Sequence, residues 1–168
     1  GIIKNTGTIT KVYKKGNNSV IEVSSKIKFN ELDIGSSISC SGACLTIEKC
    51  DKNLVQFYVS KETLNKTVFK SVKKGNIINL EKPLKYGDRI SGHFVQGHVD
   101  TTCVVNKIHL IGKSWLISFN FPQKYKKYLI QKGSISINGI SLTIAKIYKN
   151  KFEISVIPQT LKLTNLIH

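Results

Sequence analysis

At 168 residues, with 40% apolar content and no run of 18 apolar residues, the sequence contains no helical membrane span. Its net charge of +16 is almost all lysine, Arg89 being the only arginine, which leaves out the bidentate base contacts of a nucleic-acid reader. The four cysteines, Cys40, Cys44, Cys50 and Cys103, form no C-x-x-C pair and no zinc spacing, so no metal and a reducing compartment are expected.

Strand patterns dominate the chain in order. Thr8–Tyr13 and Ser19–Ser24 flank the Gly/Asn turn at Gly16-Asn17-Asn18 and predict a hairpin. Ser37–Cys40 and Cys44–Lys49 flank a second tight connection at Ser41-Gly42-Ala43. Cys50-Asp51-Lys52-Asn53 turns the chain into Leu54–Ser60, and Lys61–Thr67 is long enough for one or two helical turns. Asn76–Leu80 completes six short strands, the pattern of a small antiparallel barrel or sandwich. Leu84–Gly92 is the expected link between domains spanning residues 1–88 and 93–168. Beyond it the pattern predicts strands at Val99–Ile108, Ser114–Phe119, Ser134–Ile137, Ser141–Ile147 and Phe152–Ile157. Helical turns are expected at Pro122–Ile130 and Pro158–Leu163.

The second half repeats the first. Ser41-Gly42-Ala43-Cys44-Leu45-Thr46-Ile47 returns 97 positions later as Asn138-Gly139-Ile140-Ser141-Leu142-Thr143-Ile144. Lys61-Glu62-Thr63-Leu64 returns at the same spacing as Pro158-Gln159-Thr160-Leu161, and Gly1-Ile2-Ile3 returns at a spacing of 96 as Gly97-His98-Val99. The period is too long for a solenoid unit and implies two tandem copies of one small domain. A copy of about 80 residues buries only about 60–65% of its unfolded surface, so each half needs the other or a second chain. Counterparts of Lys74–Glu81, including a sixth strand, would fall beyond His168, and trimming of the sequence is the expected reason.

Gly92-His93-Phe94-Val95-Gln96-Gly97-His98-Val99-Asp100, together with the doubled G-x-[CS]-L-T phrase and the K-E-T-L element, resembles the trimeric alpha-type riboflavin synthase family over the whole chain. The resemblance implies an all-β fold of two six-stranded Greek-key barrels and a homotrimer with each active site between neighbouring chains. It also implies cofactor-free dismutation of two 6,7-dimethyl-8-ribityllumazine molecules to riboflavin and 5-amino-6-ribitylamino-uracil. Lumazine synthase is a candidate partner. A non-catalytic lumazine- or flavin-binding protein of the same fold is the alternative reading.

For catalysis the candidates are His98, Ser141, Thr143 and Cys44. Imidazole titrates near neutrality and suits proton transfer at a lumazine methyl, which makes His98 the first choice over His93. Ser141 and Thr143 alternate on one strand and share a face, as Cys44 and Thr46 do in the first half. Substrate contacts are expected from Gly1, Ile2 and Ile3, from Cys44, Leu45 and Thr46, and from Gly97, His98 and Val99. Tyr58, Val59, Ser60, Lys61, Glu62 and Thr63 would line one pocket with backbone groups and a hydroxyl. Ser141, Leu142 and Thr143, with Ser155, Val156, Ile157, Pro158, Gln159 and Thr160, would line the other, and Lys132 lies near substrate in the family. Departures from the family are the missing Met-Phe-Thr before Gly1, the missing C-terminal helix, Asn138 in place of aspartate and Gln159 in place of glutamate. The loss of a carboxylate at Asn138 counts against an acid or base there. Cytoplasmic location is expected, or a plastid if a targeting segment has been removed.

Overall fold

Alternation of apolar and polar residues becomes strand over about half of the chain, because a strand packed on a core buries about one side chain in two. The computed structural model describes residues 1–168. In the first half β1 (Asn5–Lys15), β2 (Asn18–Phe29), β3 (Ser37–Cys40), β4 (Ala43–Val59) and β5 (Ile77–Glu81) close into a barrel in the order β1-β2-β4-β3-β5. The second half is a five-stranded sheet of β6 (Val104–Ile111), β7 (Ser114–Asn120), β8 (Ser134–Ile137), β9 (Ile140–Ile147) and β10 (Lys151–Val156) in the order β6-β7-β10-β9-β8. No strand of this second sheet corresponds to β5.

Two strands expected in the first half appear as the single extended stretch β4. A straight 17-residue strand would run about 56 Å. β4 instead folds back on itself, since Gln56 Nε2 donates to Glu48 Oε2 at 3.1 Å. The reversal falls where Lys52 takes a left-handed φ of 48°. The first arm pairs with β3 and the second with β2, so six strand segments surround the first core. In the second half the same reversal separates β9 from β10, which pair antiparallel.

The barrel interior is built from the inward faces of these strands. Ile9, Ile21, Phe57 and Leu80 are fully buried in the first half. In the second, Phe152 stacks on Phe119 with centroids 5.5 Å apart and meets Phe121 at 5.8 Å. Ser60 caps α1 (Lys61–Lys66) by accepting from Thr63 N–H, and Pro158 opens the matching α2 (Pro158–Leu163), where its missing N–H costs nothing. Pro122–Ile130 contains only a tight 3-10 turn over Gln123–Tyr128. The strand expected from Val99 begins instead at Val104, because Val99 leaves its own sheet and packs against the first core.

The halves are joined by a buried amide network. Asn79, fully buried at the seam, donates from Nδ2 to Asn138 O at 2.8 Å and to Asn165 Oδ1 at 2.9 Å. Its own Oδ1 accepts from Asn165 N–H at 2.7 Å. Replacing Asn79 by alanine would strand all three partners in the seam. Asn79→Ala should therefore cost about 2–4 kcal/mol, read as a lower urea midpoint.

Candidate ligand-binding faces

The repeated turns meet back to back. Gly42 and Gly139 both have left-handed backbones, with φ of 85° and 79°. A Cβ added to Gly42 would stand 2.8 Å from Gly139 N, and one added to Gly139 would stand 2.9 Å from Gly42 N. This reciprocity defines a local twofold axis between the halves. Just before each glycine, Ser41 and Asn138 have φ of 44° and 48°. Asparagine and aspartate tolerate that region best among side-chain-bearing residues, so the structure gives Asn138 a turn-forming role that needs no carboxylate. Its Nδ2 donates to Asn165 Oδ1 at 3.2 Å.

Two strands leave the axis, each presenting polar groups outwards. Along β4, Ala43, Leu45 and Ile47 point into the core while Cys44 and Thr46 are exposed. Along β9, Ile140, Leu142 and Ile144 point in, Ser141 is half-buried and Thr143 exposed. The neighbouring short strands add hydroxyls: Ser39 lies opposite Cys44 and Ser37 opposite Thr46, while Ser136 lies opposite Ser141 and Ser134 opposite Thr143. These four serines were not among the sequence candidates. Their signal was present, since Ser37-Ile38-Ser39 returns 97 positions later as Ser134-Ile135-Ser136. Ser39 Oγ is buried without a hydrogen-bond partner, on the side facing Gly139.

The second arm of each hairpin brings up further candidates. The pairing of β10 with β9 ends at Ile154 and Ile144, and Ser155, Val156 and Ile157 follow it. Val156 is buried in the core, as is Val59 in the first half, so these two can offer a ligand only backbone groups. Tyr58 is 38% exposed and Ile157 56% exposed. Ser60 Oγ and Thr63 Oγ1 are 3.0 Å apart at the start of α1, with Lys61 and Glu62 beside them; Pro158, Gln159 and Thr160 start α2. Lys132, with φ of 67°, is exposed in the turn before β8, and its N–H donates to Ile144 O at 2.8 Å.

Each face is edged by chain from the opposite half. Cys44 N–H donates to Gly97 O at 2.8 Å, and Ser141 N–H donates to Gly1 O at 2.7 Å. Gly97-His98-Val99 thus borders the first face and Gly1-Ile2-Ile3 the second. His98 is exposed and makes no hydrogen bond of its own. A cavity of ≈ 710 Å³ adjoins this region, bordered among others by Gly42, His93, His98, Ser136 and Gly139.

The imidazole in contact with a candidate hydroxyl is that of His93. Its Nδ1 lies 2.6 Å from Ser141 Oγ. Partial burial holds the His93 pKa below its ordinary value, which favours the neutral ring that can accept this proton. The first face has no such pair, since Cys44 makes no side-chain hydrogen bond and forms no disulfide. The adjacent Cys40 thiol is pushed well above the ordinary range by burial, and by Cys44 next to it, which leaves it a packing residue. No three His, Cys, Asp or Glu side chains converge as a metal site.

Twin β-faces related by an axis, one with a thiol and one with a hydroxyl, define a double-barrel small-molecule-binding protein. The lumazine binding domain family matches residues 1–83 and 96–168, and the chain belongs to that family. It is 34% identical over 99% of its length to riboflavin synthase of Actinobacillus pleuropneumoniae, covering 77% of that protein. It is 37% identical over 99% of its length to the riboflavin synthase of Chlamydia muridarum (strain MoPn / Nigg), covering 81%. Among solved structures it is similar in fold to LumP complexed with 6,7-dimethyl-8-(1'-D-ribityl) lumazine, with TM-score 0.83, 22% identity, and coverage of 98% of this chain and 89% of that one.

Proposed function

We propose that the protein is a riboflavin synthase, an enzyme that binds two molecules of 6,7-dimethyl-8-ribityllumazine and moves a four-carbon unit from one to the other. The observation that carries this reading is the doubled face around Gly42 and Gly139, equal in register but unlike in its central group, Cys44 against Ser141. Two identical substrates require two related sites. Because they leave as different products, those sites must also differ. Holding both rings in place recovers part of the entropy of a bimolecular encounter.

The outward hydroxyls of Ser37 and Thr46, and of Ser134, Ser136, Ser141 and Thr143, supply the donors and acceptors that a pteridine edge and a ribityl chain need. His98, exposed beside the first face, takes and returns the proton of a ring methyl. Neutral His93 receives the Ser141 proton as a nucleophile forms at the second face. Pairing of the first face of one chain with the second face of its neighbour, in a homotrimer, brings the two rings together. The similarity to riboflavin synthases at 34–37% identity supports the activity.

Incubating the protein with 6,7-dimethyl-8-ribityllumazine alone should produce flavin absorbance. Tight binding with altered lumazine fluorescence and no flavin would instead make it a non-catalytic relative, closer in role to a lumazine carrier.

A further inference from the structure

The two leading segments are exchanged between the halves. Ile3 belongs by sequence to the first half, yet it is only 5% exposed in the second core, among Ile117, Ile140, Leu142 and Phe152. Val99 belongs to the second half and packs against the first core. Just before each of these side chains, a backbone carbonyl reaches the strand that carries a candidate reacting group. Gly1 O accepts from Ser141 N–H at 2.7 Å, and Gly97 O accepts from Cys44 N–H at 2.8 Å. The same crossed contact is made twice, around the same axis.

We propose that Ile3 and Val99 are crossed positioning residues. Each is anchored in the core of the opposite half and there fixes a carbonyl that sets the height and tilt of Ser141 or Cys44 on its ligand face. The physical need is clear. Both strands start directly after a glycine turn, where the backbone is easiest to twist, and neither Cys44 nor Ser141 has a neighbouring strand of its own half on that side at that point. An amide bond from the opposite half fixes the missing edge. The apolar side chain two residues further on keeps the carbonyl in place, because releasing it would expose buried surface. A side effect follows: neither face is complete within its own half. A shift of about 1 Å at a reacting group can cost on the order of a hundredfold in rate, so this alignment bears on catalysis as well as folding.

The role of the segments in turnover rests on the riboflavin synthase reading; the crossing itself does not. The test follows amide hydrogen exchange in the whole chain by NMR. Val99→Ala should speed exchange at the Cys44 amide by about tenfold or more and leave the Ser141 amide unchanged. Ile3→Ala should do the reverse. The conservative Val99→Ile and Ile3→Val changes should restore slow exchange at both. Acceleration confined to the substituted residue's own half, or equal at both amides, overturns the crossing.

Turnover gives the second readout. Each alanine variant should lower kcat by about tenfold while lumazine affinity stays within about threefold. If kcat holds within about twofold although exchange crosses, the segments are structural only and the positioning role fails. Flavin formation by the unsubstituted protein is measured first. Its absence removes the positioning role together with the enzymatic reading, and the exchange pattern still decides whether the halves are crossed.

Discussion

Replacing Ser141 by alanine should lower kcat about a hundredfold at neutral pH, and His93→Ala should lower it by a similar factor. The double variant should be little worse than either single one, since the two groups share one 2.6 Å hydrogen bond and act as a unit. Losses that multiply would show instead that the imidazole and the hydroxyl act separately. The pH profile gives an independent check. Partial burial lowers the His93 pKa below the ordinary histidine range. The acid limb of kcat should therefore lie below about pH 6.5, the usual histidine value, and should vanish in His93→Ala. The linkage has a definite sign. As pH falls through the ordinary range, the unfolded chain takes up this proton before the folded chain does, so the folded state loses stability with acidification. His93→Ala should be less sensitive to pH over that window. A profile for His93→Ala that keeps the same acid limb would assign it to another group, with His98 the next to replace.

Much of the fold was legible because its cause is local. The alternation of Ile, Val and Phe with polar residues marked the strands, and Gly16-Asn17-Asn18 marked the first hairpin. Duplication was equally legible, because the S-G-A-C-L-T-I phrase and its partner stand in register over the whole chain. What the sequence did not announce are contacts with no local signature. The bond from Ser141 N–H to Gly1 O joins residues 140 positions apart, and nothing in Gly1-Ile2-Ile3 distinguishes a strand of its own half from one exchanged into the other. Val99 likewise reads as strand, yet the strand begins at Val104 and Val99 packs on the opposite core. His93 stood in the motif, but only the path of the linker decides which histidine reaches Ser141. The serines of β3 and β8 could have been found, since Ser-Ile-Ser is repeated at the period of the domain. A serine every second residue on a strand is so common that only the register opposite Cys44 and Ser141 makes it informative. Asn138 is the converse case: its residue type suggests a lost carboxylate, whereas its Nδ2 donates to Asn165 Oδ1, a bond that a carboxylate could not give.

Gly42→Ala should destabilise the protein by about 3 kcal/mol and lower turnover as well, and Gly139→Ala should do the same. Two costs add. A left-handed backbone at a residue with a Cβ costs about 1–2 kcal/mol. Forcing a methyl into a packed contact costs about 1–3 kcal/mol more. At Gly42 the added Cβ would meet Gly139 N at 2.8 Å and Gly139 Cα at 3.4 Å, and backbone cannot swing away as the end of a flexible side chain can. Gly16→Ala separates the two terms, since Gly16 also has a left-handed φ of 62° but nothing lies within 4 Å of its missing Cβ. It should lose only the backbone part, about 1–2 kcal/mol, and keep full turnover. The contact between the halves is shared, so the double variant Gly42→Ala/Gly139→Ala should cost less than the sum of its parts. Both faces begin two residues from this axis, at Cys44 and Ser141, so prising the turns apart tilts both strands at once. Turnover should then fall in folded Gly42→Ala protein, measured well below its urea midpoint. If Gly42→Ala costs no more than Gly16→Ala and leaves turnover intact, the twin turns do not hold the two faces in register.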